Sequence, residues 1–405
     1  MNIVMLCTKF SLQENDPWLT NEMAEALQGQ GHSVTVINLD WAAAAGEPDH
    51  RLRTSKGVEV ISVAPLLVRS RLPMLSKVMK WAGSSLRVVK LLREVSRTRP
   101  IDLVVGFSPA VTMSLPLLWQ RYRGQAKAYM VLWDFFPHHQ QQIGLMPSGL
   151  VFAIAKWFES TLIRTFDHIG CMSPANIAYL KRHYRLRPSQ QVHTLPIWGR
   201  NTAVMPLDRQ QTREEMGLPV DRPIVVFGGQ LVHGRGVEDL LQVARIAARE
   251  GSRSYYLIMG SGTLEGQVKA YLDEGHGNLS WIARVPRERY LDVAQACDVA
   301  LVCTVRDVDV PSFPSKTIDY LRVGLPIVAS VERSTDYGDF IVEQDVGVRV
   351  EAGEPVQLHE CIEQLLADPQ RLARMARRGP ECMAEHFDVE HVARQLINQV
   401  GRPER

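Results

Sequence analysis

The chain has 405 residues, of which 45% are hydrophobic and 22% are charged. This composition is typical of a globular protein with sizeable apolar cores, and it excludes a disordered, collagen-like or disulfide-stabilised chain. The length favours two domains. The 46 basic and 44 acidic residues leave a net charge of only +2, which argues against a general binder of polyanions.

Segments typical of strands and helices alternate through the first half of the chain. In chain order, strands are predicted at 3–7, 33–39, 58–63, 103–107, 128–132, 168–172 and 192–195, with a helix at 20–30 between the first two. This alternation favours parallel sheets covered by helices, which is the α/β class.

The charge is concentrated in one part of this half. Residues 51–127 contain 15 Lys and Arg against three acidic residues, so the segment carries +12 and the remainder of the chain −10. Such a surface attracts anionic lipid, phosphate or nucleic acid.

Within that segment an amphipathic helix is predicted at 75–97. Its cations are Lys77, Lys80, Arg87, Lys90 and Arg97. One interpretation is a surface helix of the first domain, and the other is a helix that binds anionic lipid headgroups. Nucleic acid is disfavoured because no motif of interleaved aromatic and basic residues accompanies the charge.

Two polar side chains follow the predicted strand 128–132. His138 could hydrogen-bond a sugar hydroxyl, carry a proton near neutral pH, or be an ordinary loop residue. Asp134 could position an acceptor or cap the turn that follows it. The sequence leaves these alternatives open.

The second half repeats the pattern of the first. A strand at 223–227 leads through a glycine-rich loop, 228–236, to a helix at 237–249 and a strand at 254–259. We therefore predict two Rossmann-like domains, 1–198 and 199–381, joined near 196–208. One last helical segment is predicted at about 380–400, and the chain from about 382 to 405 is assigned to the first domain.

The glycine-rich loop is a candidate anion site. A glycine turn that enters a helix presents backbone N–H groups at the positive end of the helix dipole, which suits a pyrophosphate. The alternative is a tight turn with an arginine in solvent. A second glycine loop follows the next strand, at the edge where open α/β sheets bind ligands. The candidate residues are Gly228, Gly229, Gln230, Arg235, Gly236, Gly260, Ser261 and Gly262.

A third candidate segment begins at Pro311 and ends in a buried strand. Ser315 is predicted to cap a short helix on which Lys316 and Asp319 lie one turn apart. These two could form a local ion pair worth ~0.3–0.5 kcal/mol. Alternatively, the helix start faces nucleotide phosphates and Asp319 binds the ribose. The remaining predicted contacts are Val285, Phe313, Pro314 and Thr317.

The six cysteines show no CxxC pair and no zinc-site spacing, which predicts buried thiols in a reducing cytosol. No metal site is predicted. No stretch of the sequence is long and apolar enough for a membrane span.

Several of these motifs resemble one known family, the retaining GT-B glycosyltransferases of family 4. The string Asp319-Tyr-Leu-Arg-Val-Gly324, followed by Pro326-Ile-Val-Ala, resembles the C-terminal domain of that family, and the loop 228–236 resembles its Gly-x-Leu-x-x-x-Lys-Gly turn. Asp134-Phe-Phe-Pro137-His138 is similar to an Asp-x-x-Pro segment in a subgroup that acts on exopolysaccharide and O-antigen precursors.

The sequence departs from the family at two motifs. In the family, a lysine and an arginine of the glycine-rich turn contact the donor pyrophosphate. In this chain Arg235 replaces the lysine and Gln230 replaces the arginine. In the Glu-x7-Glu motif Asp319 takes the second, ribose-binding position, and Pro311 replaces the first, sugar-side glutamate.

The resemblance implies two Rossmann-like domains that face each other across a cleft, and a retaining hexosyltransferase that needs no cofactor besides a UDP- or GDP-linked sugar. It implies catalytic roles for Asp134, His138, Arg235 and Lys316, with cations in place of a metal ion. In that context the string Asp307-Val-Asp309 is predicted to be a solvated loop and not a cation site.

The implied acceptor is a lipid-linked saccharide of bacterial surface polysaccharide biosynthesis. The protein would then be cytoplasmic and peripheral at the inner face of the plasma membrane, attached through residues 51–127. Two alternatives stay open at this point. One is a nucleotide-sugar epimerase of the same fold, and the other is a non-catalytic nucleotide-sugar-binding scaffold of a polysaccharide assembly complex.

Overall fold

The computed structural model describes residues 1–13, 16–68, 73–285 and 287–401. The chain divides into two compact units. Unit 1 contains Met1–Arg200 together with Val389–Arg405, and unit 2 contains Asn201–Asp388. The first division thus falls two residues after the predicted boundary at 198, and the chain returns to unit 1 at Val389 and not at 382.

Unit 1 is built on an eight-stranded sheet in the order β3-β4-β2-β1-β5-β6-β7-β8. Its strands are β1 Asn2–Cys7, β2 Ser33–Leu39, β3 His50–Arg53, β4 Glu59–Val63, β5 Leu103–Phe107, β6 Lys127–Leu132, β7 His168–Cys171 and β8 Gln191–Thr194. All pairings are parallel except that of β3 with β4. The central strands are apolar and buried because helices cover both faces of a parallel sheet.

The helices of unit 1 connect these strands. They are α1 Leu19–Gly29, α2 Pro73–Thr98, α3 Ser114–Arg123, α4 His138–Gln142, α5 Leu150–Ile163 and α6 Pro174–His183. A short 3-10 turn, Ala110–Met113, precedes α3. The predicted basic helix is therefore present as α2. Arg69 and Arg71 of the basic segment, and the side chain of Lys77, lie outside the described residues.

Unit 2 is built on a six-stranded, fully parallel sheet in the order β11-β10-β9-β12-β13-β14. Its strands are β9 Ile224–Gly228, β10 Tyr255–Met259, β11 Leu279–Ile282, β12 Val299–Cys303, β13 Ile327–Val331 and β14 Gly347–Glu351. The strand order reverses between β9 and β12, and ligands of open α/β sheets bind at the carboxyl edge beside such a switch point.

Eight helices flank this sheet in the described part of unit 2. They are α7 Arg209–Glu215, α8 Val237–Arg249, α9 Glu265–Asp273, α10 Arg287–Gln295, α11 Lys316–Arg322, α12 Tyr337–Glu343, α13 Pro355–Leu366 and α14 Pro369–His386. The longest, α14, packs on α11, where a Cβ added to Gly324 (φ +65°) would lie 2.6 Å from the carbonyl oxygen of Ala376.

The prediction of one final helical segment at about 380–400 is wrong. Pro380 lies inside α14. The helical structure breaks at residues 387–388, and a separate helix, α15, follows at Val389–Val400. The break occurs because Phe387 is buried in unit 2 while α15 belongs to unit 1. There α15 packs on α1, and Lys127 Nζ and Gln395 Nε2 donate hydrogen bonds of 2.7 and 2.8 Å to Val400 O and Thr194 O.

No helix in the described part of the chain is long and apolar enough to cross a bilayer.

Candidate functional site

The two glycine loops of unit 2 lie against each other at the carboxyl edge of its sheet. Leu231 N donates to Ser261 O at 2.9 Å, and a Cβ on Gly260 (φ +149°) would overlap the carbonyl oxygen of Gly229. The glycines are needed because two backbones approach too closely for a side chain. The loops therefore form one continuous floor beside β9 and β10.

Several of the N–H groups predicted to hold a phosphate are already used inside the protein. Gly228 N donates to Tyr320 Oη at 2.8 Å, and Gly229 N donates to Met259 O at 2.9 Å. Gly260 N and Gly262 N donate to Ile282 O and Glu265 Oε1, both at 3.0 Å. These four glycines shape the loops and are not themselves anion donors.

Further backbone donors at this edge belong to the start of α8. Gly236 caps the helix in the left-handed conformation (φ +61°), and a Cβ there would overlap Cys303 at the end of β12. The first turn of an α-helix leaves N–H groups without intrahelical partners, at the positive end of the helix dipole. The start of α8 thus faces the switch point between β9 and β12.

Two cations converge beside the start of α8. Lys316 Nζ lies 3.8 Å from the centre of the Phe227 ring, on β9. Burial, together with repulsion from Arg235, lowers the pKa of Lys316 to about 7. Arg235 is exposed and directly precedes Gly236. The arrangement concentrates positive charge where an anion would lie.

Of the two alternatives for Lys316 and Asp319, the local ion pair between them is not present in the structure. Asp319 Oδ1 instead lies 3.7 Å from Nη1 of Arg322, and both side chains are largely buried. Lys316 turns away because its ammonium group packs on Phe227, on the sheet side of α11. Asp319 thus does not neutralise Lys316.

Other residues of the predicted segment have packing roles. Ser315 precedes α11 but its side chain makes no capping hydrogen bond, because its backbone is already helical. Thr317 is buried, with its Oγ1 2.7 Å from Tyr337 Oη, and the Phe313 ring packs 5.0 Å from the Tyr337 ring. The turn closes between Pro314 O and Thr317 N at 3.2 Å. These residues fix the start of α11.

Glu332 is a site-forming residue that the sequence analysis missed. It follows β13, is buried, and accepts hydrogen bonds from Ser312 N and Oγ at 3.0 and 2.7 Å and from Thr304 Oγ1. Glu332 therefore holds the loop in which Pro311 replaces the first glutamate of the Glu-x7-Glu motif. Its only sequence signal is its position directly after a predicted buried strand.

The remaining candidates of unit 2 lie in loops, at exposed or partly buried positions. Gln230 and Ser261 are exposed on the two glycine loops, and Val285 is partly buried after β11. Asp307 lies in the left-handed conformation (φ +62°) in the loop after β12. The described residues contain no group of three or more His, Cys, Asp or Glu side chains that could hold a metal ion.

In unit 1, Asp134 and His138 lie after the end of β6 in different surroundings. Asp134 is exposed, and its N–H donates to Ser108 Oγ at 2.9 Å. His138 begins α4, so the interpretation as a loop histidine is wrong. It is buried edge-on to the rings of Phe152 and Tyr184, at 5.2 and 5.7 Å. Burial, with repulsion from Lys156 and His183, lowers the pKa of His138 to about 4, so it is neutral at pH 7.

A buried carboxyl lies in the same cluster. Glu159 on α5 accepts a hydrogen bond from Tyr184 Oη, and both residues are buried. Burial, together with the negative charge of Asp134, raises the pKa of Glu159 to about 9. Glu159 is therefore protonated at neutral pH.

Comparison with known families matches each unit separately. The model described as "Glycosyl transferase 4-like domain" matches residues 18–198, and "Glycosyl transferases group 1" matches residues 208–381. The two matches cover most of unit 1 and nearly all of unit 2. The chain belongs to the GT-B glycosyltransferases, with a family 4-like N-terminal domain and a group 1 C-terminal domain.

Individual relatives and solved structures are similar to this chain at low identity. WcaI of Escherichia coli K12, a glycosyl transferase assigned to colanic acid biosynthesis, is 22% identical over 94% of this chain and 95% of its own length. Sucrose-phosphate synthase from Thermosynechococcus elongatus is 17% identical with a TM-score of 0.76, covering 99% and 98% of the two chains. Anabaena HepE, solved with UDP, is 15% identical with a TM-score of 0.68, covering 99% of each chain.

Proposed function

We propose that this glycosyltransferase moves a hexose from a UDP- or GDP-linked donor to a lipid-linked saccharide, with retention of the anomeric configuration, in bacterial surface polysaccharide biosynthesis. The observation that carries the proposal is the convergence of Arg235 and Lys316 beside the start of α8. Two cations and a helix N-terminus at the switch point of a parallel sheet are suited to a diphosphate.

The chemistry explains why positive charge is needed there. When the bond between the sugar and a nucleoside diphosphate breaks, negative charge develops on the β-phosphate of the leaving group. Stabilising that charge is the main electrostatic task of the protein. Arg235 would bind a phosphate oxygen by a charge-assisted hydrogen bond. Lys316 would supply a second charge from a low-dielectric site, where electrostatic attraction is stronger. We propose that these cations take the place of a metal ion.

The other contacts follow from the same placement. Asp319 would accept hydrogen bonds from the ribose, as acidic residues do in nucleotide sites. In unit 1, Asp134 would contact the acceptor, since it is exposed after β6. His138 is buried and neutral, and we assign it to holding the turn that carries Asp134.

The acceptor and donor classes are supported by relatives. WcaI is assigned to colanic acid biosynthesis, and HepE was solved with UDP. Retention is implied by the resemblance to family 4. A lipid-linked acceptor fits the excess of 15 basic over three acidic residues in segment 51–127, which would hold unit 1 at an anionic membrane surface.

Arg235→Ala tests the diphosphate assignment. Calorimetric titration should show that the variant binds UDP or GDP at least ten-fold more weakly than the wild type, while its affinity for the corresponding nucleoside changes little. The reason is that the lost guanidinium would contact only phosphate. A matched control is Arg249→Ala, which removes an exposed arginine from the opposite end of α8. Equal losses for nucleotide and nucleoside would remove Arg235 from the phosphate site.

A further inference from the structure

Helix α5 carries an exposed apolar stripe along one face. The α5 stripe consists of Leu150, Val151, Ile154 and Trp157, whose exposed fractions are 76, 56, 57 and 68%. Their spacing of one and two helical turns places them side by side. The opposite face is buried in unit 1 through Glu159, Leu162 and Ile163.

Such a stripe is costly to leave in water. Full burial of one large apolar side chain contributes about 1.5–3 kcal/mol, and globular proteins rarely expose contiguous patches of such residues. Leu145, in the segment before α5, is 60% exposed and extends the apolar surface. The surface therefore indicates a partner with an apolar phase.

The charges of α5 point to the nature of that partner. The only acidic residue of the helix is Glu159, and it is buried. The charged residues toward solvent are Lys156, partly buried, and Arg164, exposed at the C-cap. A helix with aliphatic and tryptophan residues on its outer face, cations beside them and no exposed acid is typical of the interface of an anionic membrane.

Helix α2 is a neighbour of α5 and carries cations on its own exposed side. The Trp81 ring of α2 lies 5.8 Å from the Phe158 ring of α5, so the two helices are neighbours. Along its exposed side α2 presents Met79 and Leu86, followed by the cations Lys90 and Arg97. Arg87 is less available because it pairs with Asp49 at 2.8 Å.

We propose that the α5 stripe inserts into the interfacial layer of an anionic lipid bilayer, with Lys90 and Arg97 of α2 at the headgroups. This inference deepens the proposed membrane location and rests on it for the identity of the partner. Apolar insertion and headgroup attraction are separate contributions, because only the second is screened by salt.

The test is co-sedimentation of the full chain with vesicles of phosphatidylcholine and phosphatidylglycerol. Ile154→Asp and Trp157→Asp should each lower the partition coefficient about ten-fold or more, because a carboxylate replaces an inserted apolar group. The matched control is Val356→Asp on α13, where the replaced side chain is also 57% exposed. It should bind vesicles like the wild type.

Two further measurements separate the contributions. The double variant Lys90→Glu, Arg97→Glu should lose binding mainly at low salt, whereas Arg249→Glu, Arg377→Glu, an equal charge change at exposed sites of unit 2, should lose much less. Trp157 fluorescence should be quenched by brominated lipid, with the quenching lost in Trp157→Phe. Circular dichroism of each variant checks that it is folded.

Unchanged vesicle binding by folded Ile154→Asp and Trp157→Asp would overturn the insertion of α5, whatever the charge-reversed variant does. Loss of binding in these variants with no effect of Lys90→Glu, Arg97→Glu would retain α5 as the inserting helix and remove the basic segment from the proposed function. A wild-type dimer that Ile154→Asp converts to a monomer, without loss of vesicle binding, would assign the stripe to a second copy of the chain and contradict the proposal.

Discussion

Replacement of Lys316 by methionine should lower the rate of sugar transfer about a hundred- to a thousand-fold, the usual effect of removing one preorganised donor from the charge of a leaving group. Methionine keeps most of the length of the side chain and can still pack on Phe227, which the lysine contacts at 3.8 Å. The expected loss therefore isolates the charge. Lys269→Met is the matched control, since Lys269 also lies over an aromatic ring, Trp281, in unit 2.

The pH dependence gives the same prediction a second readout. Since the pKa of Lys316 is lowered to about 7, the free protein loses the ammonium charge as the pH rises above 7. A diphosphate binds the charged form, so kcat/KM should fall as the pH rises from about 7 to 9. Lys316→Arg keeps its charge throughout this range and should flatten the profile. If kcat/KM of the wild type does not depend on pH and the Lys316→Met variant is active, Lys316 has no role in the chemistry.

Replacement of Glu159 by glutamine should remove a pH-dependent loss of stability from unit 1. The pKa of Glu159 is raised from 4.5 to about 9 in the folded chain. Between these values the native state holds a proton that the unfolded state has lost, so the unfolding free energy of the wild type falls as the pH rises, by at most ~1.4 kcal/mol per pH unit. Glutamine can still accept the hydrogen bond of Tyr184 Oη but does not titrate.

At pH 5 the unfolding free energies of the wild type and of Glu159→Gln should differ by no more than about 1 kcal/mol. At pH 8 the variant should be more stable than the wild type by about 2–4 kcal/mol. Urea unfolding followed by tryptophan fluorescence is suited to the measurement, since seven of the eight tryptophans precede residue 200 and report on unit 1. Glu47→Gln, at an exposed position of the same unit, should leave the pH slope unchanged. Parallel slopes in wild type and Glu159→Gln would show that the carboxyl is ionised in the folded state.

The strands were predictable where they are buried on both faces. Ser33–Leu39 and Leu103–Phe107 have the predicted limits, because continuous apolar runs between turn residues leave little choice of structure. The antiparallel edge strand His50–Arg53 was missed because all four of its residues are exposed and no apolar pattern marks it. The break between α14 and α15 was missed because it depends on which unit buries each helix.

The candidate site was predictable in its residue types but not in its contacts. The glycine loops and Lys316 follow from motif and position, whereas the packing of Lys316 on Phe227 joins residues far apart in sequence. The Glu159–Tyr184 hydrogen bond and the support of Pro311's loop by Glu332 arise in the same way. The α5 stripe was hidden because spacing reveals an amphipathic helix but cannot tell a buried apolar face from an exposed one.

The central claim is that unit 2 binds a nucleoside diphosphate sugar through Arg235 and Lys316. The most direct measurement is the melting temperature of the wild type and of Lys316→Met against a panel of UDP- and GDP-linked sugars, in buffer containing EDTA. At least one sugar nucleotide should raise the melting temperature of the wild type, since a ligand that binds only the native state stabilises it, and the rise should be much smaller for Lys316→Met. Equal rises in both proteins, or none with any sugar nucleotide, would contradict the account.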